Sequence, residues 1–234
     1  MIQQARRLVR FLLLSTLSIS CPEIFEMNTK IALKCAVALL AMSAFGVASA
    51  VPLTVSRYDM FNGYSGSYNY WDDTYSGTGA VNIDGARLSG GKGDLTNGVV
   101  ASDNWFVTEA PGGSRPYVGW SIDPTIHFYF GRPVTIQKIS FSFDDSNGAG
   151  GVSPPQSVLI AGTAYSVPDP VGGAPFQFDI SGLSLNVSDL QVEIQRSNAW
   201  VFVSEVSFDG QLPEPGALSL LGLGMIGLAF ARRR

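Results

Sequence analysis

Hydrophobic and polar residues alternate along the chain between residues 51 and 210, and no stretch there has the spacing of an amphipathic helix. The clearest alternation covers residues 134–144, where Ile139, Phe141 and Phe143 are separated by serines. This pattern is typical of half-buried β-strands. Similar short runs occupy residues 125–130, 157–160, 176–180, 190–195 and 200–208, with turn-forming residues between them at 131–133, 147–151, 168–173 and 181–182.

These runs predict an all-β fold for residues 51–210, a β-sandwich or jelly roll. About 160 residues is the size of one domain with a substantial core. Residues 62–79, rich in Gly, Ser, Tyr and Asn, are predicted to form a long surface loop or an irregular hairpin, and residues 90–104 a second loop. The two ends of the chain predict an N-terminal signal helix and a C-terminal transmembrane helix around this domain.

The C-terminal segment has the composition of a membrane helix. Residues 216–231 carry no charge, and as a helix these sixteen residues would extend roughly 24 Å, against a hydrocarbon core of about 30 Å. Arg232, Arg233 and Arg234 follow directly and are expected to stay on the cytoplasmic side, which places the rest of the chain outside. An amphipathic or core helix is the alternative, but the segment has no polar face.

A short motif precedes this helix. Pro213, Glu214 and Pro215 are followed by the apolar run and the terminal arginine cluster, and this order resembles the PEP-CTERM sorting signal over residues 211–234. The resemblance implies that an exosortase in the inner membrane of a Gram-negative bacterium recognises residues 213–215 and cleaves nearby. The protein would then pass from the inner membrane to the cell surface or the extracellular matrix. The signal predicts a destination and leaves the activity of residues 51–210 open.

The N-terminal region contains a second export element. Met27, Lys30 and Lys34 precede an apolar run at residues 35–45, and Ala48 and Ala50 form a signal-peptidase cleavage site around residue 49. Residues 27–50 are therefore predicted to be the signal peptide. Residues 1–26 are predicted to come from an overcalled start, and a single long signal sequence is the alternative.

Cleavage after residue 50 would remove both cysteines, which stand at positions 21 and 35. The mature chain would then start at residue 51 and have no disulfide or cysteine-bound metal. Residues 51–210 hold seven Lys and Arg against sixteen Asp and Glu, a net charge near −9. This acidity argues against nucleic acid as a partner and favours a hard cation such as calcium.

Aromatic residues near the predicted loops are candidates for sugar binding, because a ring face can pack on the C–H face of a sugar. Tyr70 and Trp71, beside Asp72, are the main candidates, together with Tyr117 and Trp120. Tyr68 belongs to the same set of loop aromatics, whereas Trp105 and Trp200 lie in strand-like runs that favour the core.

Three short pieces of residues 51–210 resemble the galactose-binding-like jelly roll of discoidin-type modules and several carbohydrate-binding modules. They are the segment 94–98 followed by Trp105, the strand-turn-strand at 126–139, and the closing segment 204–210. The resemblance implies a structural calcium held by Asp94, Asn97 and Glu205, together with backbone carbonyls. The terminal cysteine pair of extracellular members is missing, and Asn97 replaces the usual Asp. Ordinary turn and edge roles for these residues remain the alternative.

Candidates for catalysis are few. Asp72-Asp73 and Asp144-Asp145 are adjacent pairs whose side chains would point to opposite faces of a strand, unlike the facing acids of a glycosidase. Residues 144–148 are predicted to form a hairpin turn, with a loop calcium as the alternative, and His127 is expected on the solvent side of a strand. The sequence therefore predicts an exported, non-catalytic protein that binds or organises exopolysaccharide. The alternatives are a structural or adhesion protein with protein partners and, less favoured, an exported hydrolase.

Overall fold

The computed structural model describes residues 50–66 and 68–212, and these residues form an antiparallel β-sandwich. The predicted signal peptide at 27–50 lies outside this range apart from its last residue, as do the start at 1–26 and the sorting segment from residue 213 onward. The strands are β1 (Val51–Leu53), β2 (Arg57–Asn62), β3 (Ala86–Gly91), β4 (Val118–Trp120), β5 (Thr125–Phe143), β6 (Ser157–Ile160), β7 (Thr163–Ser166), β8 (Phe176–Gln195) and β9 (Val201–Gln211).

The strands follow the order β1-β9-β5-β8-β6-β7, with β2 between β3 and the first part of β5, and β4 on β9. Every named pairing is antiparallel. Three short helices interrupt the loops: η1 (Asp94–Thr96), α1 (Trp105–Thr108) and η2 (Ala149–Gly151). None of the helices in the described part of the chain is long and apolar enough to cross a membrane.

Two long strands, β5 and β8, take part in both layers of the sandwich. The first part of β5 pairs with β2 and with the end of β8, whereas its second part pairs with β9 and with the start of β8. The register of β5 against β8 shifts between Tyr129 and Val134 and again between Ile136 and Lys138. These bulges bend both strands, and the two halves pack face to face.

The core lies between the two layers because alternate residues of each strand point inward. Ile126 and Phe128 from the first part of β5, and Phe141 and Phe143 from the second part, are fully buried in one cluster. Phe128 meets Phe208 of β9 across the sandwich, with ring centroids 5.1 Å apart. The all-β fold and the inward-facing alternation predicted from the sequence are confirmed.

Several sequence predictions differ from the structure in detail. The turns expected at 131–133 and 181–182 are bulges inside continuous strands, because the hydrogen-bonded ladder resumes beyond each of them. Residues 144–148 do not form a hairpin, since β5 pairs with β2, β8 and β9 while β6 pairs with β7 and β8. Trp105, expected in a strand-like run, begins α1, a single helical turn.

Candidate functional site

An aromatic cluster covers one end of the sandwich, where β9 begins. Tyr68 stacks on Tyr70, with centroids 5.7 Å apart and ring planes at 13°. Tyr70 in turn meets the edges or faces of three more rings at 4.8–5.6 Å, and Tyr68 also contacts one of these. The aromatic cluster consists of Tyr68, Tyr70, Trp105, Trp200 and Phe202.

The solvent exposure of the rings in the cluster increases from Phe202 in the interior to Tyr68 at the surface. Phe202 is 1% exposed and lies in a small core with Tyr117, whereas Tyr68 is 56% exposed. Tyr70, Trp105 and Trp200 are half-buried and pack on that core. An exposed ring held in place by packed rings behind it is the arrangement that a saccharide-stacking surface needs, since little side-chain entropy remains to be lost on binding.

Hydrogen bonds hold the loop that carries Tyr68 and Tyr70. The Arg115 guanidinium donates to the carbonyl of Asn69 at 2.7 Å, and the amide of Gly119 donates to the carbonyl of Tyr70 at 3.1 Å. On the other side, the hydroxyl of Ser65 donates to the carbonyl of Tyr68 at 2.5 Å. Both flanks of the stacked pair are therefore anchored to the sandwich.

Charged groups lie beside this loop. Arg115 is 3.4 Å from a carboxylate oxygen of Asp73 and 3.8 Å from one of Glu109, and Arg115 and Asp73 are both partly exposed. Burial raises the pKa of Glu109 to about 7, although the amide of Tyr117 and the Arg115 charge act in the opposite direction. Asp73 and Arg115 offer an acceptor and donors to sugar hydroxyls next to the stacked rings.

Three of the predicted sugar-binding residues do not reach the surface. Asp72, Tyr117 and Trp120 are each 0% exposed, so the structure contradicts the prediction that they contact a saccharide. Their polar atoms bond inside the protein: Tyr58 donates its hydroxyl to Asp72, the Tyr117 hydroxyl donates to the Asp103 carbonyl at 3.1 Å, and the Trp120 indole donates to the Phe61 carbonyl at 2.8 Å.

Of the other aromatic candidates, Tyr70 is in the cluster and Trp71 is half-buried beside it in sequence, with a buried indole nitrogen that has no hydrogen-bond partner. Tyr68 was not among the main sugar-binding candidates predicted from the sequence, although it is the most exposed ring of the cluster. Its signal was the spacing of Tyr68 and Tyr70, because two residues apart in an extended segment lie on the same side.

The predicted calcium residues come together around η1. The Asn97 amide donates to Asp94 Oδ1 at 3.1 Å, and the backbone amide of Gly98 donates to Glu205 Oε2 at 3.0 Å. Asp94 also accepts from the Thr74 hydroxyl at 2.6 Å, and its backbone amide donates to Asp72. The segment 94–98 and the last strand therefore meet as the resemblance implied.

The acidic pocket is the name used here for the two buried carboxyl groups of Asp94 and Glu205 near η1. Asp94 and Glu205 are 2% and 9% exposed, and neither is in an ion pair within residues 50–66 and 68–212. Burial raises the pKa of both carboxyl groups to about 7. Asp94 Oδ2 is buried without any hydrogen-bond partner, which fits an oxygen that faces a cation.

Not every feature of the pocket favours a metal. The Asn97 side-chain oxygen accepts from the Val99 amide at 2.7 Å, so in this conformation it serves the loop itself. Among the described residues, no group of three or more His, Cys, Asp or Glu is placed to hold a metal ion. A calcium here would need Asp94 and Glu205 together with backbone carbonyls and water.

The adjacent acids Asp144 and Asp145 are not a surface pair. Asp144 and Asp145 are both 0% exposed, and Asp144 accepts hydrogen bonds from the Trp105 amide and the Ser146 hydroxyl. Burial raises the pKa of Asp144 to about 6. Its hydrogen bonds join the end of β5 to the start of α1, and Asp144 thereby positions Trp105 for the aromatic cluster.

The family comparison finds one motif. The PEP-CTERM protein-sorting motif matches residues 211–234, about a tenth of the chain, and none of the curated proteins matches the sequence. The sorting motif predicted from Pro213, Glu214, Pro215 and the arginines at 232–234 is confirmed. The motif indicates an exported protein that is sorted through the membrane.

Solved structures similar to this chain include carbohydrate-binding modules. The CBM32 of AlyQ, solved with 4,5-unsaturated mannuronic acid, is 10% identical, with 68% of this chain and 97% of that chain covered and a TM-score of 0.37. A pectin-binding module is 9% identical, with coverage of 72% and 96% and a TM-score of 0.30. An f-lectin from Morone saxatilis (striped bass) is 9% identical, with coverage of 68% and 73% and a TM-score of 0.34.

The molecule is thus a β-sandwich protein that carries a PEP-CTERM sorting motif at its C-terminal end. Its described residues include an aromatic cluster that reaches the surface at Tyr68 and two buried carboxyl groups, Asp94 and Glu205, near η1.

Proposed function

We propose that this is a non-catalytic cell-surface or matrix protein that binds exopolysaccharide through the aromatic cluster, after an exosortase has processed its C-terminal segment. The observation that carries the proposal is the stacked pair of Tyr68 and Tyr70, of which Tyr68 is 56% exposed and Tyr70 rests on Phe202 at 4.8 Å. Sugar rings pack on such faces through their C–H groups. Asp73 and Arg115 lie close enough to the loop to orient the hydroxyls.

The packing of the cluster supports this proposal over a purely structural role. A core aromatic residue gains its stability from burial, yet Tyr68 leaves more than half of its surface in water. Its loop is nevertheless held by bonds from Arg115, Gly119 and Ser65 to three successive backbone carbonyls. Rigid placement of an exposed ring has a clear use in binding.

The test is retention of the full-length protein, purified in mild detergent, on the extracellular polysaccharide of the producing cells. Replacing Tyr68 by Ala removes the outer ring, and we expect a loss of about tenfold in affinity, since stacking and aromatic contacts contribute on the order of 1–1.5 kcal/mol. Tyr64→Ala is the matched control, because Tyr64 is 45% exposed and lies outside the cluster.

Equal retention of the wild type and Tyr68→Ala would refute the sugar site. It would favour the alternative of a structural or adhesion protein with protein partners. Turnover of the polysaccharide by the wild type would instead favour an exported hydrolase. Thermal melting of both variants shows whether the fold is intact, and little change is expected because both rings are largely solvent-exposed.

We further propose that Asp94 and Glu205 hold a structural calcium, which would supply positive charge to two buried carboxylates. The unpartnered Asp94 Oδ2 supports this, as does the absence of an ion pair on either group in the described part of the chain. A bound ion of this kind stabilises the folded state by mass action and would compensate for the lack of disulfides in residues 51–210.

A further inference from the structure

A groove lies at the bend of β5, on the outer face of the sandwich. It encloses about 520 Å³, which is large enough for one or two sugar rings. The residues around it come from the start of β2, the bulge of β5 and the adjoining part of β8. They are Ser56, Arg57, Tyr129, Gly131, Arg132, Pro133, Ser188 and Asp189.

On one side of the groove, the guanidinium group of Arg57 lies over the aromatic ring of Tyr129. The guanidinium carbon of Arg57 lies 4.0 Å from the centroid of the Tyr129 ring, and the Tyr129 hydroxyl is 3.3 Å from a carboxylate oxygen of Asp59. Stacking on a ring fixes the plane of the guanidinium while leaving its N–H donors free at the edge. Arg57 is therefore presented to the groove in a set orientation.

The groove brings together two arginines of an acidic domain, next to the carboxylate of Asp189. Of the seven Lys and Arg residues at 51–210, Arg115, Lys138 and Arg196 are in ion pairs with carboxylates. Arg57 and Arg132 are in none within the described residues, and both line the groove. Two unpaired guanidinium groups at one place in a domain of net charge near −9 favour an anionic ligand there.

The neighbouring strand β8 contributes hydrogen-bonding groups to the groove, because Asp189 pairs with Tyr129 in the β-sheet register. Asp189 is held by His127 at 2.9 Å and by the Ser188 hydroxyl at 3.1 Å. The hydrogen bond from His127, followed by that from Ser188, lowers the pKa of Asp189, so it stays ionised as an acceptor for hydroxyl donors. The groove thus combines two cations with acceptors for neutral polar groups.

We propose that this groove binds a sugar that carries a carboxylate, a uronate unit of an acidic polysaccharide. Arg57 and Arg132 hold the carboxylate, because a planar guanidinium matches its two oxygens, and Asp189 and Ser188 hold ring hydroxyls. A phosphate-rich membrane surface fits less well, because a phosphate group by itself offers no hydroxyl donors to Asp189 and Ser188 in the lining of the groove. The site is independent of the aromatic cluster.

The experiment measures binding of the full-length protein in mild detergent to trigalacturonate and to its carboxyl-reduced, neutral counterpart by calorimetry. We expect at least tenfold tighter binding of the trigalacturonate, and an affinity that falls as salt rises. Arg57→Gln and Arg132→Gln should each weaken uronate binding by about tenfold, as expected for one charged hydrogen-bonding group. Lys92→Gln, which removes an exposed charge outside the groove, should bind as the wild type does.

Equal affinity for the charged and neutral trimers would overturn the proposal, as would unchanged binding by both arginine variants. Binding to phosphatidylglycerol vesicles that depends on both arginines, without binding of trigalacturonate, would assign the groove to lipid instead. Arg132→Gln keeps the test valid if Arg57→Gln unfolds, because no bond within the described residues depends on the Arg132 side chain. If retention on polysaccharide depends on Tyr68 but not on Arg57 or Arg132, the groove proposal fails while the proposed function of the aromatic cluster stands.

Discussion

Buried carboxylates are the unusual side chains of this protein. Burial raises the pKa of Asp94, Glu109 and Glu205 to about 7 and that of Asp144 to about 6. Of these four, Glu109 alone has a cation from the described residues within 4 Å, the guanidinium of Arg115. Ionising such groups costs free energy that backbone and hydroxyl donors only partly offset, so each is a place where pH or a cation controls stability.

The first prediction concerns Asp94 and pH. Its folded-state pKa lies above its ordinary value of 3.8, so its contribution to stability is fully present below that value and is lost as pH rises towards about 7. With a chelator present, we expect the free energy of unfolding to fall by on the order of 2 kcal/mol from pH 5 to pH 8, since each unit of pKa corresponds to about 1.4 kcal/mol. Urea unfolding at several pH values measures this.

Calcium should abolish most of that loss, because the ionised form is the one that binds it, and should raise the melting temperature at pH 8. Asp94→Asn should make the pH profile shallower, with Glu109, Glu205 and Asp144 still contributing to it, and should remove the calcium response. Asp179→Asn is the control, since hydrogen bonds and the Lys138 charge lower the pKa of Asp179 despite some desolvation, and the variant should keep both responses. A calcium response that survives in Asp94→Asn would contradict the metal proposal.

For individual residues, the sequence predicted which side chains lie close together better than it predicted which side chains are exposed to solvent. Asp94, Asn97 and Glu205 were expected together and meet around η1. Tyr117 and Trp120, expected at the surface, are fully buried. Alternation cannot say which face of a short strand is covered, and β4 is covered on both because Val118, Gly119 and Trp120 are all buried.

Among the elements, the strand runs from residue 125 onward were predicted well, whereas β1 to β4 and β7 were not predicted. Of the four predicted turns, those at 147–151 and 168–173 lie between strands as expected, and the other two do not. Residues 157–160 were predicted as a strand and are β6. Gly131 and Gly182, each a strong turn signal, lie instead in bulges of the long strands β5 and β8. A local turn signal and a bulge use the same backbone conformation, and only the partner strand distinguishes them.

A second prediction tests the bulge of β8. Gly182 has φ of 77°, and an added Cβ would have no neighbour within 4 Å, so any cost of substitution comes from the backbone conformation. Asn tolerates the left-handed region better than a β-branched residue does. We therefore expect Gly182→Val to lose roughly 1–2 kcal/mol of stability and Gly182→Asn to lose clearly less, measured by urea unfolding.

Two outcomes are informative for this pair. If Gly182→Val is as stable as Gly182→Asn, the bulge is not held in the left-handed conformation. Gly210→Ala provides the contrasting case, because its added Cβ would lie 2.0 Å from the Thr135 carbonyl oxygen, a steric clash beside the register shift of β5 against β9. We expect that variant to lose more stability than either change at Gly182.

At the scale of the whole molecule, β9 separates the aromatic cluster from the sorting segment. Trp200 of the cluster immediately precedes β9, and β9 ends at Gln211, eleven residues further on. At roughly 3.3 Å per residue that strand spans about 36 Å. The groove lined by Arg57 and Arg132 lies nearer to the C-terminal end of β9, because Thr135, three residues beyond Arg132, pairs with Gln211. A chain tethered through residues 213–234 would therefore hold the aromatic cluster away from its point of attachment.

This arrangement makes sorting separable from binding. Glu214→Ala alters the motif at 213–215 but no residue of the sandwich, so uncleaved protein should keep its apolar segment at 216–231 and remain with the membrane fraction. Fractionation of the producing cells with immunoblotting measures both location and mass. Asp169→Ala, which removes an equivalent charge from an exposed loop, should be processed and released as the wild type is. Detergent-extracted Glu214→Ala should still bind polysaccharide through Tyr68, and release equal to that of the wild type would mean that Glu214 does not direct processing.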